Sequence, residues 1–168
     1  RLEGYFSFLS PLEIVLADRT EVAYGQVVTP GLFETLGRTA LRGRTLARGD
    51  TPEAVLSHGY WQRRFGGDVA AVGRTVRVGA QAVTIVGVMP PDFVFPYPGM
   101  LGPSGFTNVT AVDMWVSMAF SGPMAAEQRT VTPSGEVPRA VRFLGAIGRM
   151  RAEATPAQVQ DDAGRVAR

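Results

Sequence analysis

Apolar positions along the chain follow two rhythms, one helical and one alternating. Leu2, Tyr5, Phe6 and Leu9 sit at helical spacing and Ser10-Pro11 ends the run, which predicts the tail of a helix at the start. Glu13 to Ala17 and Val22 to Thr29 are rich in β-branched residues and flank the polar Asp18-Arg19-Thr20-Glu21, so two strands and a turn are expected. Thr29 to Gly37 predicts a short helix. There Thr29 is placed to cap orphan amides, Pro30 suits the first helical position and Gly37 can take the left-handed stop.

Arg38 to Asp50 is a basic, glycine-punctuated connector. Ala54-Val55-Leu56 predicts a short buried strand, and Ser57 is suited to cap the helix that follows, His58 to Phe65. On that helix Trp61 and Phe65 lie one turn apart and define the buried face. Gly66-Gly67 stops it, and a second short turn spans Asp68 to Gly73. The clearest hairpin comes next. Thr75 to Val78 alternates, Gly79-Ala80-Gln81 turns, and Val83 to Val86 returns towards Met89-Pro90-Pro91.

From Pro96 to Pro138 the texture changes to Pro, Gly, Ser and Thr, with one strand-like island at Asp113 to Met118. Its flanks, 97–112 and 121–138, are predicted to be long loops, and loops of that length in a compact domain often carry function. Ala140 to Ile147 reads as a strand. Thr155-Pro156-Ala157-Gln158 has the cap, proline and glutamine of a helix start, and Val159, Ala163 and Val166 then form a narrow apolar stripe. Hairpins mixed with single helices predict an α+β fold.

Composition narrows the class. The chain has 168 residues, 45% hydrophobic and 19% charged, enough for one domain or two small ones and too apolar for wholesale disorder. With no Cys there is no disulfide framework. All 17 basic residues are Arg, and against 15 acids they leave a net charge of +2, which is not the balance of a nucleic-acid binder. The Arg-only usage, beside many Ala, Gly and Val, fits a GC-rich genome better than a function. No signal-peptide core opens the sequence, and Ala82 to Met89, among its longest apolar stretches, falls short of the roughly 18 to 20 residues of a membrane span. With no initiating Met, the sequence is expected to be a piece of a longer protein.

Candidate chemistry is sparse. Ser57 and His58, with Asp50 or Asp68, have the residue types of a nucleophilic triad, but adjacent residues on a strand-to-helix turn point apart and no nucleophile elbow surrounds them. The expected roles are a helix cap for Ser57 and a partly exposed first-turn position for His58. One His and no Cys argue against zinc, and Asp161-Asp162 suits a solvated helix face. Among six Met, Met114 and Met118 share a strand face with Val116 and are expected in the core. Gly66-Gly67 and Gly43 to Gly49 lack phosphate-loop spacing. Arg63-Arg64 and Arg42, Arg44 and Arg48 offer an acidic partner or anionic headgroups a contact, with a solvated surface as the plainer expectation. Asn108-Val109-Thr110 matches a glycosylation sequon, a triplet common by chance. No catalytic residue, cofactor or metal is expected.

Four blocks carry a resemblance. They are Val28 to Gly37 with Leu41-Arg42-Gly43-Arg44; Ala54-Val55-Leu56-Ser57-His58-Gly59-Tyr60-Trp61-Gln62-Arg63-Arg64-Phe65-Gly66-Gly67; Val72 to Val76 through Val86-Gly87-Val88-Met89-Pro90-Pro91-Asp92-Phe93; and Phe143 to Arg168. Together the blocks resemble the MacB-type periplasmic core domain of FtsX-like ABC transporter permeases, particularly the duplicated permeases of soil bacteria. The likeness covers nearly the whole chain and is strongest in the second and third blocks.

The resemblance implies a porter-like βαβ subdomain built from both chain ends, about 1–48 with 139–168, and a small α/β subdomain, 49–138, inserted between them. Family members open with a strand leading out of the first membrane helix. On the helical reading of residues 2 to 9 that strand is missing here, which would leave a sheet edge unpaired. The implied role is non-enzymatic: an extracytoplasmic domain that couples ATP-driven motion of membrane helices to export or release of a substrate outside the membrane. Implied partners are the parent's own membrane helices, indirectly a cytoplasmic ATP-binding subunit, a second permease copy and a periplasmic adaptor, and no nucleic acid. Phe93, Phe95, Tyr97 and Phe106 supply apolar contact surface, with a packed loop anchor as the plainer role of each. Two rival readings make other demands. A stand-alone extracytoplasmic peptide- or lipid-binding module would lack flanking hydrophobic segments of about 20 residues. A hydrolase would need Ser57 and His58.

Overall fold

In the computed structural model, residues 2–6, 9–16, 19–96, 111–117 and 144–166 are described. The opening residues form a strand, β1 (Leu2–Phe6), and not the tail of a helix. It runs antiparallel between two others: β3 (Thr20–Val28), met at Tyr5 opposite Val28, and β9 (Leu144–Gly148), paired from Leu2 opposite Gly148 to Phe6 opposite Leu144. The helical rhythm misleads because the side chain that turns inward beside Tyr5 is an acid. Glu3 is only 4% exposed whereas Leu2 is 73% exposed. The buried carboxylate accepts from Thr29 Oγ1 at 2.5 Å and from Arg48 at 3.4 Å. Pairing of this kind offsets the cost of removing a charge from water.

Thr29 is thereby taken from its expected role. Its hydroxyl also accepts from the Gly4 amide at 2.9 Å, so it joins β1 to the end of β3 instead of capping the next helix. That helix, α1 (Leu32–Thr35), starts at Gly31 with no side-chain cap, and Gly37 ends the turn at φ +69° as the sequence suggested. β2 (Ser10–Val15) and β3 form the expected first hairpin, with β2 starting earlier than its β-branched run. A short strand, β4 (Arg42–Gly43), hides in the basic connector and pairs antiparallel with Gly87 and Val88.

The next elements match their local signals. β5 (Glu53–Leu56) leads into α2 (His58–Phe65), whose Ser57 cap accepts from the Tyr60 amide at 3.2 Å and whose left-handed Gly66 stops it. A 3-10 turn (Val69–Ala71), capped by Asp68, precedes the hairpin of β6 (Thr75–Val78) and β7 (Gln81–Val88). β8 (Met114–Ser117) is the expected island, and α3 (Pro156–Val166) carries the expected capping box. In it Thr155 N donates to Gln158 Oε1 at 2.9 Å, and Gln158 N donates back to Thr155 Oγ1 at 3.3 Å.

The strands join one sheet in the order β2-β6-β7-β5-β8-β3-β1-β9, and β2 also pairs with β3. Six of them, β2 through β3, therefore form a closed circuit, and β1 and β9 extend from it. Long β3 serves both parts: Ser10 to Val15 pair along its first half, while its second half runs parallel to β8. Alternation sorts the side chains into two cores. Leu12, Ile14, Ala54, Leu56, Met114 and Val116 fill the inside of the circuit with Tyr60 and Trp61 of α2. Val55 and Trp115 point the other way, into a second cluster with Tyr5, Leu32, Phe33 and Phe95. The sheet and both clusters draw on residues from either side of position 48. The fold is the expected α+β arrangement, and among the described residues the sheet dominates it.

Candidate functional site

Of the residues with triad chemistry, Ser57, His58 and Asp68 are bound into local structure. Ser57 Oγ caps α2, and the His58 ring stands edge-on to Trp61 at 5.6 Å. Asp68 accepts from the Ala70 amide at 2.9 Å and pairs with Arg74 at 2.7 Å. Among the described residues no hydrogen bond links Ser57, His58 and either Asp50 or Asp68. Nor does any group of three or more His, Cys, Asp or Glu there have the arrangement of a metal site.

The arginines that looked like a free basic surface mostly bind acids of their own chain. Arg63 reaches Asp113 at 2.6 Å, and the other oxygen of Asp113 accepts from the Tyr24 amide at 2.9 Å. Arg64 pairs with Glu21 at 2.8 Å, and the Tyr60 hydroxyl donates to the same carboxylate at 2.6 Å. Burial first, and the Glu21 carboxylate second, push the Tyr60 phenol well above its ordinary pKa. Arg44 grips Glu53 through both guanidinium nitrogens, and the Ala47 amide adds a third bond at 2.9 Å. The Arg44 hydrogen bonds lower the Glu53 pKa against the opposing effect of burial. Arg48 belongs to Glu3, and Arg42 donates to the carbonyl of Leu41. Adjacent Arg63 and Arg64 thus clasp α2 to the strand layer at two points.

Of the four aromatic contact candidates, Tyr97 and Phe106 lie outside the described residues. Phe95 is 1% exposed, stands edge-on to Tyr5 at 5.3 Å, and its carbonyl accepts from Trp115 Nε1 at 3.1 Å, so it is a packed anchor. Phe93 is half-buried, 5.0 Å from the Trp115 ring and 5.7 Å from Phe33. With Val94, Val112 and Trp115 it lines a cleft of about 330 Å³, to which His58 and Arg63 of α2 also contribute. Sequence reasoning placed Trp115 on a strand but gave it no part in a site. Its partners are 20 residues away or more, and no local spacing announces them. A second, wider hollow of about 830 Å³ separates α3 from the β1–β9 pair, floored by Leu2, Ala146 and Gly148 and edged by Met150 and Val159.

Among the described residues no helix is long and apolar enough to cross a membrane. The fold itself is shared with domains of transport proteins. A domain assigned to a permease protein of Porphyromonas gingivalis matches with a TM-score of 0.58 at 16% identity, over 98% of this chain. The chain spans 62% of the length of that domain. The extracellular domain of the noncanonic ABC-type transporter YknZ from Gram-positive bacteria matches with a TM-score of 0.56 at 11% identity, over 99% of this chain and 73% of its own. The periplasmic region of MacB from Actinobacillus actinomycetemcomitans gives a TM-score of 0.45 at 12% identity, over 86% of this chain and 71% of its own. No curated protein matches the chain.

Residues 5–166 match the model of the MacB-like periplasmic core domain, and the chain belongs to that family. It is a periplasmic domain of the MacB- and FtsX-like ABC transporter permeases.

Proposed function

We propose that this domain is a non-catalytic lever of an ABC permease. It stands outside the cytoplasmic membrane between helices of its parent chain and turns their ATP-driven movement into export or release of a substrate. The observation that carries this reading is the family match along residues 5–166. The fold supports it physically. A closed circuit of strands, tied to α2 by the Arg63–Asp113 and Arg64–Glu21 pairs, can pass a displacement on without deforming.

A cytoplasmic ATP-binding subunit, reached through the membrane helices, is the proposed source of motion. A second permease copy and a periplasmic adaptor are the proposed outer partners. Phe93, with Phe95 fixed behind it, is the proposed apolar contact, and Tyr97 and Phe106 belong to the same proposal. Replacing residues 5–166 of the full-length permease by a flexible Gly/Ser linker tests the role in proteoliposomes containing the ATPase. Hydrolysis of ATP should continue while export stops. Export at the parental rate would overturn the reading.

A further inference from the structure

We infer that the cleft over Trp115 binds the carboxylate end of an acyl chain. Most of its lining side chains are apolar, with Ser57, His58 and Arg63 as the polar members; Phe93 is half-buried and Val94 is 52% exposed. Trp115, 1% exposed, closes the floor and is held by the Phe95 carbonyl, so the cleft is preformed. A volume of about 330 Å³ lies at the small end of ligand pockets, suited to a chain and not to a folded partner.

Charge decides the sign of the ligand. Among the described residues lining the cleft, His58 and Arg63 are the ionisable groups, and neither is acidic. Arg63 gives one amino group to Asp113, while its side chain is 58% exposed and keeps further donors. Asp113 does not line the cleft, and its second oxygen is engaged by the Tyr24 amide. A largely apolar slot with a partly exposed guanidinium in its lining favours an amphiphile whose head is a carboxylate, which a planar fork of N–H donors fits well. The neutral ends of an alcohol lack that match.

This inference does not rest on the transport reading, because the isolated chain tests it. Dodecanoate and dodecan-1-ol are titrated into the 168-residue protein by calorimetry, below the concentration at which either aggregates. Saturable binding of dodecanoate is expected, about tenfold tighter than the alcohol. The double variant Arg63→Gln, His58→Gln should lose that preference, with the alcohol unaffected. Val94→Asp, at an exposed side chain, should leave the thermal melt unchanged and abolish dodecanoate binding. Absence of saturable binding, equal affinity for acid and alcohol, or a Val94→Asp protein that still binds dodecanoate would each overturn the assignment.

Discussion

At the scale of single residues, most of the polar chemistry is internal. Ser57 is a helix cap, so Ser57→Ala should lower the unfolding free energy by about 1 kcal/mol in denaturant titration, a cost of the size such caps carry. Glu53 makes a pH-dependent contribution. Its folded pKa lies below the unfolded value, so the stability it confers is fully present above the unfolded pKa and is lost as pH falls through the folded one. Acid melts of Glu53→Gln should therefore show a shallower loss of stability below about pH 4.5 than the parent. An unchanged acid limb would remove Glu53 from that role. Leu2 and Glu3 show why residue-level reading failed at the start. Hydropathy assigns the leucine to the inside and the acid to water, and the pairing of Glu3 with Thr29 and Arg48 reverses both.

Elements with their own start and stop signals were legible in the sequence: α2 between Ser57 and Gly66, the β6–β7 hairpin turning at Gly79, and α3 behind Thr155. Elements defined by distant partners were not. β4 has two residues and exists because Arg42 and Gly43 lie against Val88 and Gly87. A side chain on Gly87 would run into the backbone carbonyl of Arg44, which cannot swing away as a flexible side chain can. Gly87→Ala should therefore lower stability by about 1–3 kcal/mol, read from the shift in denaturation midpoint. The inward turn of Tyr60 was equally hidden. Its spacing from Trp61 and Phe65 says nothing of Glu21, the carboxylate 39 residues earlier that receives its hydroxyl.

For the whole molecule, closure of the strand circuit is the feature no local pattern reports, since it depends on β2 reaching both β3 and β6. Two apolar clusters on opposite sides of the sheet share β5 and β8, so Trp115→Ala should cost about 3–5 kcal/mol and melt the domain as one unit. A division at 48/49 and 138/139 makes a separate demand. Residues 49–138 expressed alone should melt cooperatively if they are an independent subdomain. If the pairs β2–β6 and β3–β8 are required for stability, the excised piece should give no cooperative transition in calorimetry.

The lever role is tested most directly by distances in the full-length permease. Cysteine is absent from this chain, so spin labels at Val22→Cys and Val69→Cys, both at exposed side chains, report on the domain itself. A third label on an adjoining membrane helix reports on its movement against the bilayer. Between the nucleotide-free and ATP-bound permease, the distance between positions 22 and 69 should stay fixed while the distance to the membrane helix changes. A changed distance inside the domain, or a fixed distance to the membrane helix, would contradict a rigid lever driven by ATP.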